Sequence, residues 1–461
     1  MDAPERSAGP VGPGACVKRR RGVSARAEAR GCSAVWGRWL ALRVLIAVLG
    51  APGACRDDQQ PAAAVVRVAN WGGPGNDPKF IESERRIREQ FERRHPGVRV
   101  QLEQIPGHGE YAPKMLMMQA AGRAPDVLQL DASSAAIFIN NDVLLDLTPL
   151  IAADATFDLG AYFENVTNIY RRSDALYAIP LDFTPMVLYY NKALFDAAGV
   201  AYPQPGWSWD DFLRTAQALT VRPAGGGPPT QYGFNFENVM PFWAPWLWSN
   251  GGEVLDPSGR RASGCFDGPQ ALAAIQFLAD LVLKHGVAPN PAAGATTGVD
   301  LFRAGLAAMD VKGHWMMIEY TSDRLDIGVV GLPTNIGRRL TVVYASGLAI
   351  ARQSRQPQLA WEYIKYLTGE EVQVQRCATG LAISGNRKAA AHFAGREIED
   401  AFLDEVQYAR RPWGAVVERY PVCEDLGREM MEDILLGGDA ASVPRAVQRT
   451  ARLMDAVLAE P

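Results

Sequence analysis

Residues 184–212, TPMVLYYNKALFDAAGVAYPQPGWSWDDF, constrain the fold more than any other stretch of the chain. The run 186–190 (MVLYY) is apolar, β-branched and aromatic, and short enough for a buried strand. Asn191 supplies an N-cap for the helix KALFDAA, and Gly199 ends it. Pro203, Pro205 and Gly206 then force a turn. Ser208 caps a second helix with Asp210 and Asp211 in its first turn, where carboxylates suit the helix dipole. A strand that hands straight to a helix belongs to an α/β layer architecture. The pattern alone chooses no function, because a βα unit of any α/β protein reads this way.

The rest of the chain keeps up the alternation. Strands are expected at 64–69 (AVVRVA), 98–105 (VRVQLEQI), 176–181 (LYAIPL), 231–236 (QYGFNF) and 326–332 (DIGVVGL), with a further one ending at Asp131. Helices are expected at 78–95, 111–121, 269–285 and 357–367, and over most of the chain beyond 386. Residues 302–309 read as a helix that breaks at Gly305, and 344–350 as a loop feeding a strand. No repeat of 20–50 residues is present. The whole reads as α/β with largely parallel sheets.

In open α/β sheets ligands sit beyond the carboxyl ends of the strands. Asn70 and Trp71 follow the first strand, and Trp71 reads either as a ligand contact or as a cap over the sheet. Asp131 reads equally as a ligand contact or as the N-cap of SSAAIFINN. The glycine loop at 72–75 has neither GxGxxG nor GK[ST], so nothing supports a phosphate cradle. Phe242, Trp243, Trp246 and Trp248 fall within seven residues. At helical spacing they cannot share one face, so some are expected to point away from the core.

At 461 residues, with 48% hydrophobic and 21% charged, the chain suits two large globular domains or one very large one. Its net charge of -4 conceals a surplus of six positive charges in residues 1–54, which leaves about -10 for the remainder. An acidic body argues against a nucleic-acid partner. The basic leader ends in VLIAVLGAPGAC (44–55), whose apolar run is too short to span a bilayer and suits an export signal. Its end is similar to a bacterial lipobox with Cys55 as the lipidated residue, although Pro52 stands where Leu, Val or Ile is usual; ordinary cleavage near Ala54 is the alternative. Residues 1–54 are thus a leader and 55–63 a lipid-anchored linker. Of the remaining cysteines, Cys377 and Cys423 are the expected disulfide pair and Cys265 the thiol left over. The five histidines are scattered, so no metal site is expected.

Seven segments, taken in order, carry a resemblance. They are 124–131 (APDVLQLD), 176–180 (LYAIP), 188–200 (LYYNKALFDAAGV) with 207–212 (WSWDDF), and 248–256 (WSNGGEVLD). The others are 302–309 (FRAGLAAM) with 313–315 (GHW), 326–334 (DIGVVGLPT) and 360–373 (AWEYIKYLTGEEVQ). The chain resembles the bacterial extracellular solute-binding proteins of family 1, the maltodextrin-binding-protein-like lipoproteins of ABC sugar importers. The resemblance covers roughly residues 64–460. It implies a type II periplasmic-binding-protein fold, two α/β lobes joined by hinge crossovers near 181–186, 334–341 and 382–388 with a ligand cleft between them. Lobe one would be 64–183 plus 340–384, and lobe two 186–338 plus 385–461.

A sugar needs flat aromatics against its C–H faces and planar polar groups at its hydroxyls. Candidates for the resulting site are Asn70, Trp71, Asp131, Asp182, Trp243, Trp246, Trp315, Tyr344, Ser346 and Trp413, with Trp248 and Glu319 in reserve. One or two of the tryptophans at 243, 246 and 248 are expected to reach the ligand. No catalytic residue, cofactor or metal is expected. The implied partners are a carbohydrate, the transmembrane subunits of an ABC permease, and the membrane through Cys55, with the protein a monomer in the periplasm or on the outer face of the cell membrane. The competing readings keep the fold with another solute, such as glycerol phosphate or a polyamine, or make the chain a secreted carbohydrate-active enzyme.

Overall fold

The computed structural model describes residues 63–71, 78–105, 108–293 and 300–460. The leader 1–54, Cys55, nearly all of the linker and the glycine loop at 72–75 lie outside the described residues. In chain order the strands are β1 (Ala64–Trp71), β2 (Val98–Ile105), β3 (Val127–Asp131), β4 (Arg171–Arg172), β5 (Ala175–Leu176) and β6 (Ala178–Pro185). They continue as β7 (Val187–Asn191), β8 (Met309–Lys312), β9 (Ile327–Val330), β10 (Thr341–Ile350), β11 (Ile383–Ser384) and β12 (Ala409–Arg410). The larger sheet runs β11-β6-β10-β3-β1-β2, with β12 paired to the start of β10; a smaller one runs β8-β7-β9, and β4 with β5 forms a short hairpin.

β1 is parallel to β2 and β3, as expected for strands joined through helices, but β10 is antiparallel to both β3 and β6. The large sheet is therefore mixed, and the smaller one is wholly antiparallel. Register matters most at one place. Ser346 on β10 lies opposite Asp131 of β3 on one side and Asp182 of β6 on the other, and Ser384 of β11 continues the row beyond Asp182. A bulge between Ser346 and Gly347 skips one residue of β6 and keeps that row aligned. Tyr170, fully buried, donates from its hydroxyl to the carbonyl oxygens of Leu130 and Ala345 at 3.2 and 2.8 Å and so clamps β3 to β10.

The chain passes between the sheets through adjacent segments. β6 belongs to the large sheet and β7 to the small one, with only Met186 between them. The return runs from β9 to β10. The two passages are hydrogen-bonded to each other: Met186 N–H donates to the Val342 carbonyl at 3.0 Å, and Thr341 Oγ1 donates to the Met186 carbonyl at 2.6 Å. Two apolar cores result. One packs around the large sheet, with Phe91, Phe138, Tyr170 and Trp361. The other packs around helices Trp209–Ala218, Met240–Ser249, Pro269–Leu283, Tyr420–Gly437 and Val443–Leu458. The cores abut at Tyr189 of β7, whose ring meets Phe302, Tyr320 and Phe402 edge-on, so these three join the first core although they lie in the stretches expected for lobe two.

The local readings around residue 191 match the structure. Asn191 accepts from Leu194 N–H at 3.2 Å, and Gly199 takes φ 65° at the end of that helix. Ser208 and Asp211 form a reciprocal capping box. Three other readings are corrected. Residues 231–236 make only isolated bridges, because Gln231 pairs with Val221 while Tyr232 and Asn235 touch the stretch 307–310 singly, at Ala307 and Asp310. Residues 302–308 form turns rather than a helix, with Gly305 at φ 71°. Residues 344–350 are strand throughout, since β10 is paired along both edges. Cys265, Cys377 and Cys423 are free thiols. Cys423 is buried in the second core, whereas Cys377 ends the helix Glu370–Cys377, which lies against the large sheet at β11, so the expected pair is held apart by different packing.

Gly347 is required by close packing. A Cβ there would lie 2.8 Å from the Tyr170 ring and 2.9 Å from the Ala178 methyl. Gly347→Ala is expected to destabilise the fold by about 1–3 kcal/mol in denaturant titration, as overpacked sites do. Gly437→Ala, where a Cβ meets nothing within 4 Å, is the control. Equal stability of the two variants would refute the clamp.

Candidate functional site

The row at the large sheet is the floor of a cavity of about 610 Å³ between the two cores. Asn70 and Trp71 reach it from the end of β1, and Asp131 from the end of β3. Asp182, Phe183 and Thr184 come from β6, and Tyr344, Ala345 and Ser346 from β10. The opposite wall is built from the second core, by Val239, Pro241, Phe242 and Trp315, with Glu424 on helix Tyr420–Gly437. A volume of this order suits a small organic ligand.

The apolar surfaces are held in place by identifiable contacts. The Trp71 ring packs edge-on against Tyr111, with centroids 5.2 Å apart. Trp315 follows Gly313, and a Cβ on that glycine would lie 2.2 Å from the indole ring, so only glycine lets the ring fold back there. Phe242 lies 6.5 Å from Trp315 with the rings 32° apart. The Lys312 ammonium stands 5.1 Å over the Phe242 ring and is ion-paired to Glu237.

The polar part is rich in carboxyl groups. Arg376, 8% exposed, donates from Nε to Glu84 at 2.8 Å and from Nη1 to Asp182 at 3.3 Å. Burial works against its charge, but Glu84 and Asp182 together hold its pKa above the usual guanidinium value. Burial raises the Asp182 pKa, and Arg376 only partly offsets this. Asp131 accepts from the Ser133 backbone N–H at 2.7 Å and from the Ser133 hydroxyl, capping the short turn that follows β3. Both readings of Asp131 therefore apply at once: it is a cap, and it stands on the cavity wall. Glu424 is half-buried, and burial first, then Asp131 and Asp425, push its pKa up to about 8.

Of the ten residues singled out from the sequence, the structure brings Asn70, Trp71, Asp131, Asp182, Trp315, Tyr344 and Ser346 to the cavity. The other three are corrected. Trp243 and Trp246 are 1% and 2% exposed and lie in the second core. The helix that carries them is covered on nearly all sides, so its rings have no need of a cleft. Trp246 packs against Trp209, Phe212 and Phe277. Trp248 is equally buried, under the Arg410 guanidinium at 4.7 Å. Trp413 is half-buried beside Gly259 and Val417. Its neighbour Gly414 abuts the Ser133 carbonyl next to the cavity, but the indole turns toward the second core. Glu319 pairs with Arg303 on the surface at 2.6 Å.

Sequence reasoning missed Phe80, Glu84, Phe242, Arg376 and Glu424. Each lies in a helix, away from the strand ends where an α/β sheet usually holds its ligands. Phe242 stands in the aromatic run beside larger rings, and its sequence context does not set it apart from them. Among the described residues, no helix is long and apolar enough to cross a membrane, and no group of three or more His, Cys, Asp or Glu could hold a metal ion.

Two cores joined by paired crossover strands, with a cavity between them, define a two-lobed α/β solute-capture fold. Residues 79–374 match the family described as bacterial extracellular solute-binding protein, and the chain belongs to that family. A putative binding protein of Brucella abortus is 23% identical over 363 residues, covering 76% of this chain and 84% of the relative. An ABC substrate-binding protein of Listeria monocytogenes solved with cycloalternan superposes with a TM-score of 0.75 at 22% identity, covering 86% of this chain and 98% of that one. The sugar-binding protein MalE of Xanthomonas citri gives 0.73 at 23%, with the same coverage. These likenesses establish the type II periplasmic-binding fold.

Glu424 makes stability depend on pH. Its carboxyl keeps its proton to about pH 8 in the folded protein, whereas an unfolded Glu releases it near about pH 4.3. As pH rises between these values the unfolded chain ionises and the folded one does not, so stability falls across that window and levels off above it. Glu424→Gln, which has no such proton, is expected to raise the melting temperature at about pH 8 and to change it little near pH 4.5. The same change at both pH values would sink the assignment.

Proposed function

We propose that the chain is the extracytoplasmic substrate-binding component of an ABC importer, capturing a sugar or oligosaccharide between two closing lobes and passing it to a membrane permease. The observation that carries this reading is the composition of the cavity. Trp71 stands on one wall, Phe242 and Trp315 on the other, and a row of hydrogen-bonding groups, Asp131, Ser346 and Asp182, lies between them. Aromatic faces suit the C–H faces of a sugar ring, and the row suits hydroxyls at its edge. The sugars named with the structural relatives favour the same class.

The lobes would be 64–183 with 340–384, and 186–338 with 385–461, turning about the paired passages at Met186 and Thr341. No chemistry on the ligand is needed. Glu84 and Asp182 share Arg376, so these two are not placed to divide the acid and base roles of a glycosidase. Export would follow the leader 1–54, with Cys55 lipidated at the membrane surface and the protein acting as a monomer. Cells expressing Cys55→Ser should release the protein from the membrane fraction, and retention there would overturn the anchor.

A thermal-shift screen against mono- to oligosaccharides is expected to yield at least one sugar that raises the unfolding midpoint. Ligand at a hundred times its Kd contributes about 2.7 kcal/mol. Trp315→Ala or Trp71→Ala should abolish most of that shift while leaving the unliganded midpoint close to wild type. Chromatography should return the sugar intact. A panel without any shift, or hydrolysed product, would refute the reading.

A further inference from the structure

The two sides of the cavity are unequal in polarity. The row of hydrogen-bonding groups on the floor, Asp131, Ser346 and Asp182, belongs to the large sheet. The opposite wall, among the described residues, is made by Val239, Pro241, Phe242, Trp315 and Glu424. Three of these side chains have no polar atom, and the indole of Trp315 can only donate. Glu424 is therefore the one side chain on that wall able to accept a hydrogen bond from a solute.

The surroundings of Glu424 keep it available. Helix Tyr420–Gly437 presents it half-buried at the wall, and no described residue hydrogen-bonds to it or pairs with it. The charged groups that bear on it are acidic, Asp131 from β3 and Asp425 beside it on its own helix. Tyr344 of β10, and Tyr420 and Cys423 of the same helix, feel its charge as well, and burial keeps all three protonated. Arg428, one turn further on, is the cation spaced to reach back to it. It faces Asp425, Glu429 and Glu432 instead, at 3.7, 3.8 and 3.4 Å. Burial, with no cation to oppose it, holds the Glu424 carboxyl neutral at neutral pH. A neutral carboxyl has one O–H to donate and a carbonyl oxygen to accept. Two adjacent hydroxyls of a sugar ring offer the matching acceptor and donor.

We propose that Glu424 is the group by which the second lobe takes hold of the solute, its carboxyl donating the O–H to one sugar oxygen and accepting from the neighbouring hydroxyl. The inference rests on the sugar-binding reading above and assigns that reading its contact on the second lobe. A solute held in this way needs the proton to be present. Binding is at full strength below the pKa of the unliganded carboxyl, about 8, and is lost as pH rises through it.

Calorimetry on the full chain tests this, using the sugar that gives the largest shift in the thermal screen. The wild-type Kd is expected to stay level from about pH 5.5 to about pH 7 and to weaken by about tenfold for each pH unit above about pH 8. Glu424→Gln keeps a donor and an acceptor in the same place. It is expected to bind within about threefold of wild type at about pH 6 and to lose the alkaline fall. Glu424→Leu is expected to bind about tenfold more weakly or worse at the same pH. A wild-type profile that stays flat to about pH 9.5, the same fall in Glu424→Gln, or full affinity in Glu424→Leu overturns the inference and leaves the sugar reading standing. If no sugar binds, both fall. Should neither variant fold, two buffers of different ionisation heat decide on the wild-type chain. Binding at about pH 9 takes up close to one proton if the inference holds, and none if it fails.

Discussion

β10 is shared between two neighbours. Along its length it hydrogen-bonds to β3 on one edge and β6 on the other, and both pairings meet at Ser346. That double pairing fixes the positions of Asp131 and Asp182 relative to each other, although they are far apart in sequence. A slip of one residue in either ladder would turn those carboxyls to the opposite face of the sheet. The bulge after Ser346 and the hydroxyl of Tyr170 hold the register, and the room made by Gly347 lets Tyr170 reach its place. The cavity floor is thus a property of strand pairing before it is a property of any one side chain.

Much of this was legible in the chain. β1, β2, β3 and the unit around Asn191 announced themselves through short-range signals: alternation, a capping residue, a glycine in the left-handed region. Such signals act within a few residues and survive into the fold unchanged. The family was legible for the same reason, because its segments are local. Residues 231–236 and 302–308 were misread because their conformation is set by distant partners. Phe234 and Phe236 are buried as an alternating strand would bury them, yet the bridges on either side of them are single and make no ladder. β10 looked like a loop at its start because Ala345, Ser346 and Gly347 carry little strand preference; two flanking strands override that.

The site was half legible. Residues at strand ends were found because the carboxyl edge of a sheet is a general place for ligands. Trp243 and Trp246 misled because ring size signals burial as readily as stacking, and only the surroundings tell which. Their helix is enclosed, while Phe242 near its start is the ring that faces the cavity. Glu424 and Arg376 gave no local sign at all. A lone carboxylate in a helix reads as a solvated face until the opposing wall is known.

The pairing of Met186 with Val342 and Thr341 has a mechanical meaning. These two passages between the sheets are tied by backbone and hydroxyl hydrogen bonds at the point where they cross. The cores cannot slide past each other there without losing those bonds. A rotation about the crossing would need only small torsions spread over a few residues. Opening and shutting the cavity by such a rotation would leave the secondary structure intact. The free energy of closure falls on what touches the solute, so the wall chemistry rather than the joint decides which molecules are kept.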